Sequence, residues 1–561
     1  MYDLKITNGT IIDGTGAPAF FGDLGVNDGK VMAMGVAPDA AVREIDADGQ
    51  VVCPGFVDIH THYDAQVLWD RNLSISPWHG VTTAVIGNCG FGVAPTKAAH
   101  RDMIVRTLEK VEGMSAAALN AGLGETWPFE TFPEYLDVIE AVGPSINVGV
   151  LMGHTPLRTY AMGEAATERT ATDDELATMC DLLVGGIKAG ALGFATSKAS
   201  THVGYEGRPV PSRAAGMAEI HALCDVLGGL DRGVIQATVG RELFLDEFEQ
   251  IAMRTGRPIT WTALLAGLSL GKGGHEEQLQ ISQDFAARGL KISPQVTPRP
   301  LNFEYQFLAP FVFEPITLFK PVSAAGFDGK CRIYKDSEFR AAFKERMKTI
   351  RASFQGSFAK TVISQCDREP ELAERLLAEV AAERNMDPID LALDLALASN
   401  LEARFRMPVA NHNEDEVEPL LKSDCTVLGL SDAGAHASQL CDACQPTFFL
   451  GRWVREKKAF SLEEAIRMLT SRTAEVMGIT DRGRLALGNP ADVVIFDPAT
   501  VGDQPLQRVY DFPAGADRLI SEATGIANVI VNGVVIRERG ADTIPDGEPA
   551  PGRLLRGGAA A

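Results

Sequence analysis

Short apolar runs alternate with longer amphipathic stretches through the middle of this chain. The amphipathic stretches have the length of helices, and the apolar runs have the length of buried strands. Strands that alternate with helices at this spacing predict an α/β fold with a parallel sheet. Eight such runs favour a closed (β/α)8 barrel of the TIM type. The runs span residues 51–59, 82–86, 146–152, 191–196, 234–239, 258–265, 290–296 and 426–430.

The two ends of the chain show a different pattern, in which short strands are separated by turn residues. Residues 4–12 alternate between apolar and polar positions, and Asn27-Asp28-Gly29 is a hairpin signal. Near the other end, residues 491–497 and 528–536 read as strands. We expect the two ends to share one sheet.

Two further segments interrupt the alternation of strands and helices. Residues from about 297 to 400 exceed a normal crossover and mix Pro- and Phe-rich sequence with helical runs at 338–350 and 369–384. This length predicts an insertion near the mouth of the barrel. Residues 546–561 are rich in Gly, Pro, Ala and Arg, so we expect a flexible tail.

Composition narrows the class of protein. With 45% hydrophobic residues and a mean hydropathy of +0.01, the 561-residue chain is typical of a globular enzyme. A formal charge of −22 argues against nucleic acid or an anionic membrane as partner. The N-terminus has no basic and apolar signal segment and no run reaches a membrane helix, so we expect a cytoplasmic protein. Nine cysteines in a chain of this length indicate reduced thiols, and the pair Cys441 and Cys444 is expected to be incidental.

The pair His60 and His62 is the first candidate for chemistry. It follows the apolar run 51–59, and side chains two positions apart in a strand point to the same side. The two imidazoles can therefore bind one cation at the end of the strand, where barrel enzymes have their active sites. The alternative is a pair of structural histidines. Far downstream, the segment 431–436 supplies Asp432 after another predicted strand.

Six motifs are spread over nearly the whole chain, at residues 54–62, 87–92, 153–158, 190–194, 431–436 and 483–497. Together they resemble the amidohydrolase superfamily, and within it the branch of N-acyl-D-amino-acid deacylases, the D-aminoacylase-like proteins. The resemblance implies a metal-dependent barrel over residues 55–483, flanked by a small β-sandwich built from both termini, 1–54 plus 484–545. It also implies one or two Zn2+ ions and hydrolysis of an amide bond.

The resemblance implies a ligand set for the metal. His60 and His62 carry over as first-strand ligands, and Cys89, in a Gly-rich turn after the second strand, carries over as a metal-binding thiolate. Asp432 matches the last-strand aspartate, which touches the metal, takes a proton from the attacking water and passes it to the leaving amine. A buried thiol for Cys89 and a turn carboxylate for Asp432 are the alternatives.

This chain departs from the family pattern at the fifth and sixth strands, where residues 234–239 and 258–264 contain no histidine. Lys198, after the fourth strand, could compensate, since family members place a carboxylated lysine there that bridges metals. The alternative for Lys198 is an ordinary cation that binds a substrate carboxylate.

Substrate contacts are expected from residues that follow predicted strands. An anionic N-acyl compound needs a cation for its carboxylate, and arginine offers a planar bidentate fork. A histidine could orient a carbonyl or donate a proton. Aromatic residues between 303 and 319 could wall an acyl pocket or anchor the insertion. The candidates are His154, Arg158, His202, Arg213 and Arg299.

These observations favour a metal-dependent hydrolase of a C–N amide bond, with an N-acyl amino acid of D configuration or a related N-acyl small molecule as substrate. Hydrolysis of a cyclic amide, carbamate or lactone on the same site is a second possibility. A catalytically inactive binding or scaffold barrel is a third, because the two strand histidines are absent. Self-association is also expected to be possible, as in other barrels of this kind.

Overall fold

The computed structural model describes residues 1–268, 271–314, 316–350, 352–545 and 547–560. The chain divides into two compact units. The first comprises Met1–Leu264, Ser269–Pro298 and Glu418–Ala561, and the second comprises Leu265–Leu268 and Arg299–Val417.

Eight parallel strands form the barrel of the first unit, and neighbours in the sheet follow one another in the sequence. An isolated bridge between Thr61 and Ala433 joins the ends of the first and last strands, where the backbone N–H of His62 donates to the carbonyl of Ala433 at 2.7 Å. The predicted (β/α)8 barrel is confirmed. The strands are β1 (Phe56–Asp58), β2 (Val81–Ile86), β3 (Asn147–Gly153), β4 (Gly193–Ser197), β5 (Val234–Thr238), β6 (Ile259–Thr262), β7 (Ile292–Val296) and β8 (Val427–Leu428).

Helices connect these strands, and two begin with a capping box. Thr131 and Glu134 exchange hydrogen bonds at one helix start, and Thr172 and Glu175 do so at another, which satisfies backbone N–H groups that have no partner within the helix. None of the described helices is long and apolar enough to cross a membrane. The main helices of this unit are Arg101–Glu112, Ala116–Leu123, Phe132–Val142, His154–Met162, Asp173–Ala189, Met217–Leu230, Leu245–Thr255, His275–Ala287, Leu462–Leu469 and Ser471–Val476.

The barrel strands β2 to β6 are buried on both faces, because helices cover the outside and side chains fill the inside. Val85, Leu151 and Ala195, on three successive strands, are each at most 1% exposed and belong to one buried cluster. This packing fixes the strand ends, from which the site residues extend.

A nine-stranded sheet combines both ends of the chain, as predicted. Its two halves meet where Val494 pairs antiparallel with Cys53, one strand before the barrel begins. Alternating residues such as Leu4, Ile6 and Ile530 form its own buried cluster. The strands are Tyr2–Ile11, Phe20–Asn27, Lys30–Gly35, Ala41–Asp46, Val51–Pro54, Val493–Phe496, Ile526–Val531, Val534–Glu538 and Ala541–Asp542.

The second unit corresponds to the predicted insertion but extends to Val417 rather than to about residue 400. The difference arises because Arg404–Ala410 pairs antiparallel with Leu301–Gln306 and so belongs to the unit's own four-stranded sheet. The other strands and the helices are Val362–Gln365, Arg375–Leu376, Lys320–Ala324, Phe327–Lys335, Ser337–Thr349, Ala352–Ala359, Leu377–Glu383 and Pro388–Ala398. The helix predicted at 369–384 is thus confined to its last seven or so residues, since Glu374 has a positive φ of 63°.

The aromatic residues of the insertion build the core of this unit. Phe307, Phe313 and Phe319 are completely buried, and their rings pack at centroid distances of 5.2 to 6.0 Å. The interpretation that these rings wall an acyl pocket is wrong for the buried ones, because no face of them is left for a ligand.

The C-terminal segment differs from the expected flexible tail. Leu554 is 4% exposed, Leu555 is fully buried, and the backbone N–H of Leu555 donates to the carbonyl of Val148 in β3 at 2.8 Å. Two adjacent leucines therefore anchor a stretch whose overall composition is typical of a loose end. Positions 546 and 561 of the predicted tail lie outside the described residues.

Candidate metal centre

His60 and His62 follow directly after β1 and are 0% and 6% exposed. Their ring centroids lie 5.3 Å apart, so the two imidazoles face one small volume inside the mouth of the barrel. This is the same-side arrangement that the alternation of a strand predicts.

Cys89 reaches the same volume from a tight turn after β2. The turn requires a left-handed backbone at Cys89, with φ 56°, and its amide donates to Oε1 of Gln236 at 2.8 Å. The next residue must be glycine, because a Cβ at Gly90 would lie 2.9 Å from the Cα atom of Thr196. The thiol of Cys89 is thereby held 3.4 Å from Nε2 of His60.

Asp432 completes the cluster from the loop after β8. Its Oδ1 atom lies 3.2 Å from Nε2 of His60 and 3.7 Å from Nε2 of His62. That oxygen is buried and has no hydrogen-bond partner in the described structure. A buried carboxylate oxygen without a donor is costly unless a cation lies beside it.

The spacing of these atoms fits a tetrahedral divalent metal ion. Ligand bonds of about 2.0–2.3 Å place neighbouring ligand atoms roughly 3.3–3.8 Å apart. The distances from His60 to Cys89 and to Asp432 are 3.4 and 3.2 Å, and that from His62 to Asp432 is 3.7 Å. The candidate ligand atoms of His60, His62 and Cys89 all lie within 4.8 Å of one another. The donor set of two imidazoles, a thiolate and a carboxylate suits zinc.

Two residues that the sequence did not single out lie beside the imidazoles. Nδ1 of His60 lies 2.7 Å from Oε1 of Gln295 on β7, and this acceptor favours the tautomer that carries the proton on Nδ1, which leaves the lone pair of Nε2 for a metal. Nδ1 of His62 lies 3.1 Å from Oε1 of Glu112 without a hydrogen bond to any described residue, so Glu112 acts there as a neighbouring negative charge. Both partners are distant in sequence, so no local motif signals them.

The electrostatics of the cluster agree with a cation site. Burial raises the pKa of the Cys89 thiol, but His60 and His62 beside it outweigh that effect and lower the pKa to about 7. Burial likewise opposes ionisation of Asp432, yet the proximity of His62 and the charges of both histidines lower its pKa below the ordinary value. The thiol and the carboxylate are thus favoured in their ionised forms, which are the forms that bind metal.

Lys198 is not oriented as a metal ligand. Its Nζ donates to the backbone carbonyls of Arg213 and Ala215 at 3.0 and 2.6 Å and lies 3.3 Å from a carboxylate oxygen of Glu242. Three oxygen acceptors require an ammonium group, whereas a carbamate carries its own acceptor oxygens. Unmodified Lys198 is therefore placed as an ordinary cation, and its carboxylation stays a prediction.

His154 and Arg158 are buried in a cluster with Glu219. His154 is fully buried, and its two nitrogens lie 2.8 Å from Oγ1 of Thr196 and 2.9 Å from Oε1 of Glu219. Arg158 is fully buried, pairs with Glu219 and donates to the carbonyl of Ala166 at 3.0 Å. The predicted substrate contacts of His154 and Arg158 are wrong, because their polar atoms are already occupied away from solvent.

His202 does lie near the metal centre. Its Nδ1 is 2.7 Å from Oγ of Ser197, and its ring packs 5.0 Å from that of Phe91, which is 6.3 Å from the ring of His62. Burial and the charges of His436 and His62 lower the pKa of His202 to about 3, so the ring is neutral. Its contact with substrate stays a prediction. Arg299 belongs to the second unit, and its role as a substrate ligand also stays a prediction.

The barrel and its cluster of imidazole, thiol and carboxylate groups at the carboxyl ends of the strands define a metal-dependent barrel hydrolase. The model of the amidohydrolase family matches residues 43–537. The chain belongs to this family and is a hydrolase that acts on carbon–nitrogen bonds other than peptide bonds.

Similar proteins of comparable length match almost the whole chain. A D-aminoacylase of Alcaligenes xylosoxydans xylosoxydans is 31% identical, over 97% of this chain and 96% of the relative. An N-acyl-D-glutamate deacylase of the same organism is 29% identical, over 99% and 96%. The crystal structure of N-acyl-D-glutamate deacylase from Bordetella bronchiseptica, complexed with zinc and a phosphonate inhibitor, is 29% identical and covers 99% of both chains with a TM-score of 0.67.

Proposed function

We propose that this protein hydrolyses the amide bond of N-acyl amino acids of D configuration, with one Zn2+ ion bound by His60, His62 and Cys89 and with Asp432 as proton shuttle. The observation that carries the proposal is the buried Oδ1 atom of Asp432, which accepts no hydrogen bond from any described residue and lies 3.2 Å from Nε2 of His60. The names of the similar deacylases support the substrate class.

A single ion is favoured by what replaces the histidines absent from β5 and β6. Gln236 occupies its side-chain oxygen with the amide of Cys89, and Thr262 donates to the hydroxyl of Thr238 at 3.2 Å. These amide and hydroxyl groups are neutral and already paired. Within the described residues, His60, His62 and Cys89 are the group of His, Cys and acidic residues that is spaced for an ion.

The residues of the chain divide the chemistry among them. A zinc ion bound here would supply Lewis acidity that activates a water and polarises the amide carbonyl. Asp432 accepts the proton of the attacking water at Oδ1 and donates it to the amine nitrogen as the C–N bond breaks, which yields a carboxylic acid and a free amine. Neutral His202, with Nδ1 at the hydroxyl of Ser197, donates a hydrogen bond from its Nε2–H group to the carbonyl oxygen and keeps its proton.

The test combines metal analysis with turnover. We expect about one zinc ion per chain by mass spectrometry, release of amine from N-acetyl-D-amino acids, and slower release from the L isomers. Asp432→Asn is expected to keep its secondary structure and bind zinc but to lose about 10²–10⁴-fold in kcat, the usual range for a lost acid–base group. Full turnover by zinc-loaded Asp432→Asn would exclude the shuttle.

A substrate panel separates the alternatives. Preferred hydrolysis of a cyclic amide, carbamate or lactone would move the proposal to ring opening on the same site. Absence of hydrolysis across the panel by zinc-loaded protein would favour a binding barrel.

A further inference from the structure

A cavity of about 820 Å³ opens at the carboxyl ends of β4 and β5. No proposed metal ligand lines it. Its wall includes Lys198 and Arg213 from the segment after β4, and Arg241 and Glu242 from the segment after β5. The volume is in the upper range for small-molecule sites and exceeds what a short acyl group needs.

The cavity adjoins the centre through His202. Nη1 of Arg213 donates to the backbone carbonyl of His202 at 2.9 Å, and the ring of His202 packs against Phe91 next to His62. A substrate whose amide bond lies at the metal centre can therefore extend past His202 into the cavity.

The described lining carries four cationic and three acidic side chains, so positive charge exceeds negative charge by one. Each acidic side chain has a cationic or imidazole neighbour, because Glu242 lies 3.3 Å from Lys198, Asp246 lies 3.7 Å from Lys272, and Glu247 lies 3.1 Å from His221.

Two of the four cations in the described lining, both arginines, have no carboxylate partner. Arg213 and Arg241 form no ion pair with any described residue. Arg241 is exposed to the cavity, and Arg213 is partly buried with only a carbonyl as its neutral partner. Guanidinium groups without a carboxylate are suited to bind one from a ligand, in a bidentate fork.

We propose that Arg213 and Arg241 bind a side-chain carboxylate of the substrate, which makes the protein selective for N-acyl derivatives of acidic amino acids. This inference rests on the proposed function. Bond lengths keep an α-carboxylate oxygen of the substrate within about 3.5 Å of the scissile nitrogen, which lies at the metal centre. Because no proposed metal ligand lines the cavity, the substrate group that reaches the cavity belongs to the side chain. The surplus of one positive charge matches a carboxylate better than a dianionic phosphate.

The isosteric pair N-acetyl-D-glutamate and N-acetyl-D-glutamine provides the kinetic test, since the two differ only in the side-chain charge. We expect the unmodified protein to favour glutamate in kcat/KM by roughly 10- to 100-fold, the range that charge-assisted hydrogen bonds supply. The ratio is expected to fall towards one in Arg241→Gln and in Arg213→Gln, and to recover in part in Arg241→Lys. Arg43→Gln is the matched control, because Arg43 is an exposed arginine that pairs with Glu538 in the nine-stranded sheet and does not line the cavity.

Binding of the product D-glutamate to the zinc-loaded protein, measured by calorimetry, separates failure of this inference from failure of the proposed function. Binding that weakens roughly 10- to 100-fold in Arg241→Gln, but not in Arg43→Gln, supports the inference even if no amide is hydrolysed. Hydrolysis with an unchanged glutamate-to-glutamine ratio in Arg241→Gln and Arg213→Gln would overturn it and leave the proposed function intact. Preference for N-acetyl-O-phospho-D-serine over N-acetyl-D-glutamate would overturn the assignment to a carboxylate.

Discussion

Nδ1 of His60 and Oε1 of Gln295 lie 2.7 Å apart, although 235 residues separate them in the sequence. The amide nitrogen of Gln295 in turn donates to Oγ1 of Thr260 at 3.2 Å, which sets the amide so that its oxygen faces the imidazole. The metal ligand His60 is thus oriented by Gln295 on β7 and, through Gln295, by Thr260 on β6. The sixth strand is one of the two strands on which the family pattern would place a histidine.

Removal of the Gln295 acceptor should weaken metal binding. Gln295→Met has a similar volume but leaves Nδ1 of His60 without an acceptor, so we expect zinc affinity to fall about 10- to 100-fold, as for other outer partners of ligating histidines. A competition titration against a chelator measures the change. Gln295→Glu retains an acceptor oxygen and serves as the control. Equal zinc affinity in Gln295→Met and the unmodified protein would contradict the orienting role.

Lys198 and His60 should differ in their effect on metal content. His60→Ala removes a ligand and is expected to lose the bound zinc, whereas Lys198→Met should retain it, because the ammonium of Lys198 is directed at backbone carbonyls. Mass spectrometry of both variants after the same purification gives the comparison. Loss of zinc from Lys198→Met with an intact circular dichroism spectrum would support the carbamate hypothesis.

The buried cluster around Glu219 should contribute to stability in a defined pH range. Burial raises the pKa of Glu219, but His154 and Arg158 outweigh it and lower the pKa to about 2, below the ordinary value of 4.5. Because the folded pKa is depressed, this stabilisation is complete above pH about 4.5 and is lost as the pH falls towards 2. Denaturant unfolding of Glu219→Gln should show a loss of about 3–5 kcal/mol at pH 7 and a flatter pH dependence between 4.5 and 2.

The same variant distinguishes a structural role from a substrate role. If the cluster of Glu219, His154 and Arg158 only supports the barrel, the folded fraction of Glu219→Gln keeps its KM. A large increase in KM at unchanged stability would instead place His154 or Arg158 against the substrate.

Truncation of the buried side chain at the C-terminus should also destabilise the barrel. Leu555 is completely buried in the cluster that includes Leu151 and Val57, so Leu555→Ala is expected to cost about 2–5 kcal/mol. Arg553→Ala is the comparison in the same segment, since Arg553 is exposed. A difference below about 0.5 kcal/mol between the two variants, from denaturant melts, would indicate that the segment does not stabilise the fold.

Sequence patterns anticipated the features that depend on short segments. The alternation of apolar runs with longer amphipathic stretches predicted the barrel strands, and the spacing of His60 and His62 predicted the metal centre. No local motif predicts the residues beside the imidazoles, Glu112 and Gln295, because their contacts depend on pairing between elements far apart in the chain. The predicted contact of Arg158 with substrate is wrong for the same reason, because Arg158 pairs with Glu219, which only the packing of the helix Met217–Leu230 brings close.

The bridge between Thr61 and Ala433 has a consequence for how the protein acquires its activity. This bridge joins the first and last barrel strands, and the neighbouring hydrogen bond from Ser431 to Asp58 spans 373 residues of sequence. Contacts of such long range carry a large loop-closure entropy and form late in folding. During synthesis His60, His62 and Cys89 emerge long before Asp432, so the nascent chain has its three metal ligands but no proton shuttle until the ring closes. The hydrolytic centre is therefore an indicator of finished folding.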